Sequence, residues 1–345
     1  MINLKNIRIT PEMLNIIAQI DEFKGSWNVS EQQLDKYKHL KKIATIESIG
    51  SSNRIEGNTL TDKQVETILA NLKRQSFATR DEQEVAGYAD LMENIFENYE
   101  AIPLNENYIK QLHKILFTYS TKDERHRGEY KTLVNSVAAF DADGKQIGIV
   151  FETATPFETP KLMHELIQDT REQLEDKLVH PLIIIGLFVV HFLAIHPFQD
   201  GNGRMSRALT TLLLLKNGYQ YVPYSSMESI IEENKASYYT ALRATQKTLK
   251  TENVNYDYWL SFFLRTAQKQ VLYLKQKMSQ TATGLTLTEA KIMSLFDNQN
   301  QWTTPKISEM LNINVTTVKK AVGELVKKGY LRKNGTTRGA WYERR

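Results

Sequence analysis

The chain has 345 residues, of which 41% are apolar and 24% are charged, a composition typical of a globular protein of two or three domains. It lacks cysteine, which excludes disulfides, thiolate nucleophiles and cysteine-ligated zinc and agrees with a cytoplasmic location. The net charge of +4 is uneven, because residues 285–345 alone carry +6. Any contact with a polyanion is therefore expected near the C-terminus.

The apolar periodicity predicts a mainly α-helical protein. Thr10-Pro11 is a typical helix start, and Ser30 begins a capping-box pattern that opens a second helix. The apolar run 181–195 is shorter than the ~20 residues of a membrane-spanning helix, so we expect a buried core helix and no membrane contact. The first residues show no secretory signal pattern. Further helices are predicted near 61–75, 80–99, 105–118, 160–178, 182–195, 203–217, 230–248 and 255–280.

Residues 129–155 depart from the helical pattern. Two β-rich runs flank Asp141-Ala142-Asp143-Gly144, a turn signal that predicts a β-hairpin. The pattern alone favours a plain surface hairpin as readily as a functional one.

The C-terminal residues form a different pattern after SQTATG (279–284), which is predicted to be a linker. Helices are predicted at 288–297, 304–311 and 315–329, followed by two strand-like pieces around Asn334-Gly335. This layout is typical of a winged helix-turn-helix. Its basic residues favour either DNA contact or a docking or dimerisation surface; they are Lys319, Lys320, Lys327, Lys328, Arg332, Lys333 and Arg338.

The segment HPFQDGNGR (196–204) places a polar, glycine-rich loop between two apolar helices. A helix that starts at Gly201-Asn202-Gly203 presents unpaired N–H groups, and glycine lets a bound anion approach the backbone closely. Arg204 and Arg207 add guanidinium groups, which pair well with phosphate oxygens. The helix start therefore predicts an anion site.

Three side chains of the same loop add chemistry or support. His196 suits the role of a general base, because its ordinary pKa lies near 6.5. Asp200 suits Mg²⁺, which favours few carboxylates together with substrate phosphates. Phe198 suits an apolar pin that fixes the loop to the core. Together with the anion site, these residues predict phosphoryl or nucleotidyl transfer.

Residues 196–207 closely resemble the Fic family signature HxFx(D/E)GNGRxxR, and the resemblance extends over about residues 45 to 265. It implies a helical Fic core at 101–278 with the hairpin as a flap, a helical extension at 1–100 and the winged helix-turn-helix at 285–345. It also implies transfer of AMP from Mg-ATP to a Ser, Thr or Tyr hydroxyl of a target protein or of the chain itself. The related Doc-type kinases carry lysine where Gly203 stands, so the glycine favours AMP.

The resemblance assigns roles to individual residues of the loop. His196 would be the catalytic base and Asp200 the Mg²⁺ ligand. Asn202 and Gly203 would line the anion hole around the α- and β-phosphates, and Phe198 and Gly201 would belong to the same nucleotide-binding loop. Arg204 would neutralise phosphate charge, and Arg207 would reach the γ-phosphate. In the flap, Ile149 and Val150 would position the target side chain. Tyr239 resembles a nucleoside-pocket position, as do Tyr238 and Trp259, although all three are equally suited to a core.

Ser52-Asn53-Arg54-Ile55-Glu56-Gly57 resembles the family's inhibitory motif (S/T)xxxE(G/N), with Ser52, Glu56 and Gly57 in register. On pattern alone, a helix that ends in glycine near residue 58 is simply capped. The resemblance implies that Glu56 pairs with Arg207 and blocks the γ-phosphate position. It leaves open a de-AMPylase, a Fic enzyme with another nucleotide donor, a DNA-binding regulator with a nucleotide-sensing core, and a homodimer.

Overall fold

The computed structural model describes residues 2, 4–27, 31–72, 76–120, 124–140, 146–283, 285–296, 299–335 and 340–344. They divide into two compact units, Met1–Tyr273 and Leu274–Arg345. The predicted mainly helical fold is confirmed. The predicted N-cap Ser30, the turn at 141–144 and Arg338 lie outside the described residues.

Helices make up most of the first unit. Their bounds are α1 (Pro11–Ser26), α2 (Glu31–Ile55), α3 (Asp62–Ala70), α4 (Arg80–Asn98), α5 (Glu106–Leu116), α6 (Thr159–Asp176), α7 (Pro181–Ile195), α8 (Asn202–Lys216), α9 (Met227–Glu233), α10 (Lys235–Gln246) and α11 (Asp257–Thr283). The residues of α11 after Tyr273 belong to the second unit. Two of these bounds differ from the sequence prediction. The single helix expected at 230–248 is interrupted at Asn234, whose backbone leaves the helical region. The expected linker at 279–284 is helical up to Thr283, because it continues the amphipathic helix α11.

Two consecutive helices, α7 and α8, form the centre of this unit. Helix α7 is apolar on all sides, and nearly every residue in it is buried because α6, α8 and α10 pack around it. Helix α8 is buried over most of its length and contacts α2, α4 and α5. The loop that joins α7 to α8 is therefore held at both ends by rigid, buried elements.

A β-hairpin lies between α5 and α6 in the chain. Strand β1 (Ser136–Phe140) pairs antiparallel with β2 (Gln146–Glu152), as the sequence predicts. Val137 pairs with Phe151 and Ala138 with Ile149, so the register passes over Val150 in a β-bulge.

The second unit has its own apolar core. It contains α12 (Leu287–Leu295), β3 (Gln301–Thr303), α13 (Thr304–Leu311), α14 (Val315–Lys327), β4 (Leu331–Asn334) and β5 (Trp341–Arg344). The strands form a sheet in the order β3-β5-β4, and the core is formed by residues such as Ile292, Trp302 and Leu325. The winged helix-turn-helix and its DNA or docking role remain predictions. In the described part of the chain, no helix has the length and apolar character needed to cross a membrane.

Candidate active site

The loop between α7 and α8 begins at His196, which ends α7 in the left-handed region with φ +54°. Phe198 is fully buried, and its ring stacks on His113 of α5 with centroids 3.8 Å apart. The Phe198 side chain therefore faces the core and supports the loop, and it is not exposed to a nucleotide. Gly201 adopts φ +78°, and a Cβ there would clash with Phe117, so glycine is required.

Backbone carbonyls of the loop are bound by donors from outside it. Lys131 donates from its backbone N–H to Pro197 O (2.8 Å) and from Nζ to Ile195 O (3.0 Å). Asn135 Nδ2 donates to Phe198 O at 2.9 Å. His113 Nδ1 accepts from Gly128 N, so its Nε2 carries the proton and donates to Asp200 O at 3.1 Å. These contacts fix the course of the loop.

His196 is poised as a neutral base. Its Nδ1 lies 3.4 Å from Leu193 O, a carbonyl that can only accept, which leaves the lone pair on Nε2. Burial, and next the positive charge of Lys131, lower the pKa of His196 to about 4. The imidazole is therefore uncharged at neutral pH and able to take a proton.

Asp200 presents a carboxylate, 46% exposed, at the mouth of the loop. Its Oδ1 accepts from Gly201 N, and its Oδ2 lies 3.3 Å from Arg80 Nη2 of α4. A single exposed carboxylate beside an anion site suits the way Mg²⁺ binds in proteins, with few carboxylates and with phosphate oxygens. The described residues contain no cluster of three or more metal-ligating side chains.

The start of α8 carries two buried arginines with free N–H groups. Arg204 is 2% exposed and lies 3.5 Å from Glu84, while Arg207 is 5% exposed. Within the described residues, Arg204 Nε and Arg207 Nη1 are buried and have no hydrogen-bond partner. The Asn202 side chain closes the loop, because its Oδ1 accepts from Phe198 N and its Nδ2 donates to Phe198 O. The backbone of Asn202 lies at the start of α8. These features form a cationic cradle suited to an anion.

The end of α2 fills this cradle. Arg207 donates from Nη2 to Glu56 Oε1 at 2.8 Å and to Ser52 O at 2.8 Å, and from Nε to Ser52 Oγ at 2.8 Å. Burial, the largest single effect, lowers the pKa of Arg207, but the Glu56 carboxylate together with Tyr238 and Tyr88 outweighs burial and raises that pKa above its usual value. A Cβ built at Gly203 would overlap the Glu56 carboxylate, so this acid lies directly against the first turn of α8.

Glu56 is held there by the geometry of the helix end. Gly57 adopts φ +99°, with Asn58 N bonded to Asn53 O and Gly57 N to Arg54 O, the pattern of a glycine-capped helix end. Arg54 donates to both carboxylate oxygens of Glu232 on α9, at 2.7 and 3.0 Å. Its Nη1 donates to Asp62 of α3 at 2.9 Å. The segment is therefore both capped and anchored on two neighbouring helices.

The remaining predicted residues lie at different distances from the cradle. Tyr239 is partly exposed, and burial followed by the charge of Glu56 raises its pKa. Trp259 is 2% exposed and donates from its indole to Gly186 O, so it serves the core. Tyr238 is buried and packs on Trp259, but its hydroxyl contacts Arg207 of the cradle. Ile149 and Val150 belong to β2 of the hairpin.

Comparison with known proteins identifies this part of the chain. Residues 103–214, which include α7, the loop and α8, match the Fic/DOC family. The chain contains a Fic domain. Two solved structures share its fold. A Fic family protein from Desulfovibrio desulfuricans has a TM-score of 0.64 at 23% identity and covers 99% of this chain and 98% of its own. A Fic domain containing signaling protein from Bacteroides thetaiotaomicron has a TM-score of 0.59 at 22% identity and covers 79% of this chain and 97% of its own.

Curated relatives of the Fic domain are named protein adenylyltransferases. A Drosophila willistoni protein adenylyltransferase Fic is 25% identical over 229 residues, 66% of this chain and 42% of that protein. An Aquifex aeolicus protein described as a probable protein adenylyltransferase is 28% identical over 109 residues, 32% of this chain and 33% of that protein. The matches thus span less than half the length of these relatives.

Several residues that hold the Fic site were missed by sequence reasoning. His113, Lys131 and Asn135 bind loop carbonyls, which have no signature in a sequence. Arg54 lies inside the SSNRIEGN segment, but its partner Glu232 is 178 residues away.

Proposed function

We propose that this Fic protein is a protein adenylyltransferase that is auto-inhibited by Glu56. It would transfer AMP from ATP to a Ser, Thr or Tyr hydroxyl of a target protein, or of its own chain. The observation that carries the proposal is the cradle at the start of α8, where two buried arginines with free N–H groups lie beside a neutral His196.

The residues of the loop divide the work of this reaction. His196 Nε2 would accept the proton of the attacking hydroxyl as its oxygen bonds to the α-phosphorus and pyrophosphate leaves. Arg204, Arg207 and the N–H groups at Gly203 would bind and orient the phosphates. Asp200 would hold Mg²⁺, which supplies neutralisation of the phosphate charge when bound.

Glu56 accounts for inhibition in this proposal. Its carboxylate is the anion that occupies the cradle, and it uses Arg207, the arginine meant for the γ-phosphate. A triphosphate bound beside it would lack that contact and would meet a negative charge. Productive ATP binding would therefore require the Glu56 carboxylate to leave the cradle.

The test is labelling with ATP that carries radioactivity at the α- or the γ-phosphate. Glu56→Gly protein should retain the α label and not the γ label on itself or on lysate proteins, and the His196→Ala form of this variant should retain neither. Retention of the γ label would indicate phosphate transfer, and equal labelling by the His196→Ala form would refute the role of the base. Labelled UTP and a phosphocholine nucleotide test another donor, and loss of AMP from a labelled target tests de-AMPylation.

A further inference from the structure

Lys131 is a buried lysine in the segment between α5 and the hairpin. It is 3% exposed, although lysine is almost never buried without partners. Its ammonium donates to Asn135 Oδ1 at 2.8 Å, Thr153 Oγ1 at 2.9 Å and Ile195 O at 3.0 Å. All three of its N–H bonds are therefore used.

The three acceptors of the Lys131 ammonium belong to three parts of the structure, which are the two ends of the hairpin and the end of α7. Asn135 directly precedes β1 and Thr153 directly follows β2, so they are the two ends of the hairpin. Ile195 is the last residue of α7 and directly precedes His196. The backbone N–H of Lys131 also bonds to Pro197 O, on the other side of His196. One residue thus joins both ends of the hairpin to both neighbours of His196.

The charge of Lys131 acts on the same histidine. After burial, it is the largest contribution that lowers the pKa of His196, while Leu193 O, Glu56 and Asp200 act in the opposite direction. Burial also lowers the pKa of Lys131 itself to about 8, opposed by Glu158. The ammonium therefore remains mostly charged at neutral pH, and it favours the uncharged imidazole.

We propose that Lys131 is a positioning residue that sets the hairpin relative to His196. Its importance for catalysis rests on the proposed function and on the hairpin acting as the flap that the family resemblance implies, which would position the target side chain at His196. Its structural part does not, because the contacts join the hairpin to the loop whatever the reaction is.

Two measurements on the full chain test the structural part without any AMP transfer. Substitution Lys131→Met fills similar space but removes the charge and the three hydrogen bonds. We expect the NMR titration of the His196 ring, assigned by comparison with His196→Ala, to move up by about 1 pH unit. We also expect faster amide hydrogen exchange in β1 and β2. Lys110→Met is the matched control, because the Lys110 ammonium contacts the exposed Glu129 at 3.1 Å and the Tyr130 ring at 4.5 Å rather than the hairpin ends or the carbonyls beside His196, and it should change neither value.

Two further variants separate charge from hydrogen bonding. Lys131→Arg keeps the charge and should return the His196 titration close to the wild-type value. Thr153→Val keeps the charge but removes one acceptor of the Lys131 ammonium, together with the bond that the Thr153 hydroxyl donates to Asn135 O at 2.7 Å. It remains informative if Lys131→Met fails to fold. We expect it to speed exchange in the hairpin while the His196 titration stays unchanged. The proposal is overturned if Lys131→Met and Thr153→Val exchange like wild type, or if Lys131→Arg shifts the titration as far as Lys131→Met does.

Kinetics then test the catalytic part in the Glu56→Gly background. Lys131→Met should lower kcat for AMP transfer about 10- to 100-fold, because small misplacements of reacting groups have effects of this size. The KM for ATP should stay within about 2-fold, since the ammonium does not reach the arginine cradle. A change confined to KM would overturn this part. If Glu56→Gly alone transfers no AMP, the proposed function fails, and the NMR and exchange results still decide the role of Lys131.

Discussion

Replacing Glu56 by glycine should release AMP transfer, and the structure allows the size of the effect to be worked out. The Glu56 carboxylate lies 2.8 Å from Arg207 Nη2, and the two side chains are 33% and 5% exposed. Opposite unit charges about 4 Å apart attract by about 4 kcal/mol at an effective dielectric constant of 20. Desolvation offsets part of this attraction, and hydrogen bonds to charged groups contribute about 1.5–3 kcal/mol net.

On the proposed function, ATP must displace this contact before its γ-phosphate can use Arg207. We therefore expect Glu56→Gly to label with AMP about 10- to 150-fold faster than wild type at ATP concentrations below KM, since each 1.4 kcal/mol is tenfold. The assay is the initial rate of α-labelled ATP incorporation. Glu56→Gln is the matched control, because glutamine keeps the length and can still accept from Arg207 but has no charge. Its rate should fall between the two.

Thermal unfolding gives an independent measurement of the same contact. Without ligand, Glu56→Gly should unfold at a lower temperature than wild type, because Arg207 stays buried without its carboxylate partner. Added ATP should raise the unfolding temperature more for the variant than for wild type. Equal labelling rates together with equal responses to ATP would refute the assignment of Glu56 as the inhibitor.

Three further predictions concern other parts of the first unit. Because the pKa of His196 is about 4, the rate of AMP transfer by Glu56→Gly should be constant from about pH 7.5 to 5.5 and fall only in more acidic buffer. Loss of half of this rate near pH 6.5 would contradict a buried neutral base. Arg54→Ala should raise labelling about 2- to 5-fold by loosening the end of α2, whereas Arg265→Ala, which removes an exposed bidentate pair with Glu12, should not. Gly87→Ala should lower the free energy of unfolding by about 1–3 kcal/mol, because the added Cβ would overlap the Leu116 carbonyl. Gly25→Ala on α1 should raise the free energy of unfolding by up to about 1 kcal/mol, because its Cβ would enter open space. Chemical denaturation measures both values, and similar shifts for the two variants would contradict the packing argument.

The periodicity of apolar residues is sufficient to predict the main helices, because the buried positions of a helix are occupied by apolar residues in the sequence. Helix α7 is apolar at nearly every position, and the hairpin strands flank a clear turn signal. Bounds were harder where two helices meet without proline or glycine, as at Asn234, where only the tertiary structure decides the break. Strand β3 has three residues, which is too short for a repeat of period 2 to be recognised.

The candidate site divides in the same way. The loop residues that bear chemistry are contiguous, so one motif was enough to name them. Their supports are scattered, since Glu232 lies 178 residues from Arg54 and Asp200 O lies 87 residues from His113. Phe198 shows the limit of a motif, because its place in the nucleotide loop did not show that its ring packs against His113.

On the proposed function, Arg54 makes the end of α2 a tethered competitor of ATP rather than a free ligand. An anion carried on the same chain has an effective concentration fixed by geometry, commonly in the millimolar range or above for short connections. Moderate changes in free ATP therefore alter its occupancy of the cradle little. Occupancy of the cradle by Glu56 would instead depend on the position of α2. The contacts of Arg54 with Glu232 and Asp62, which hold α2 in place, lie partly open to solvent. On the proposed function, AMP transfer would therefore depend on the position of the end of α2, and the nucleotide supply would set only the rate once Glu56 has left the cradle.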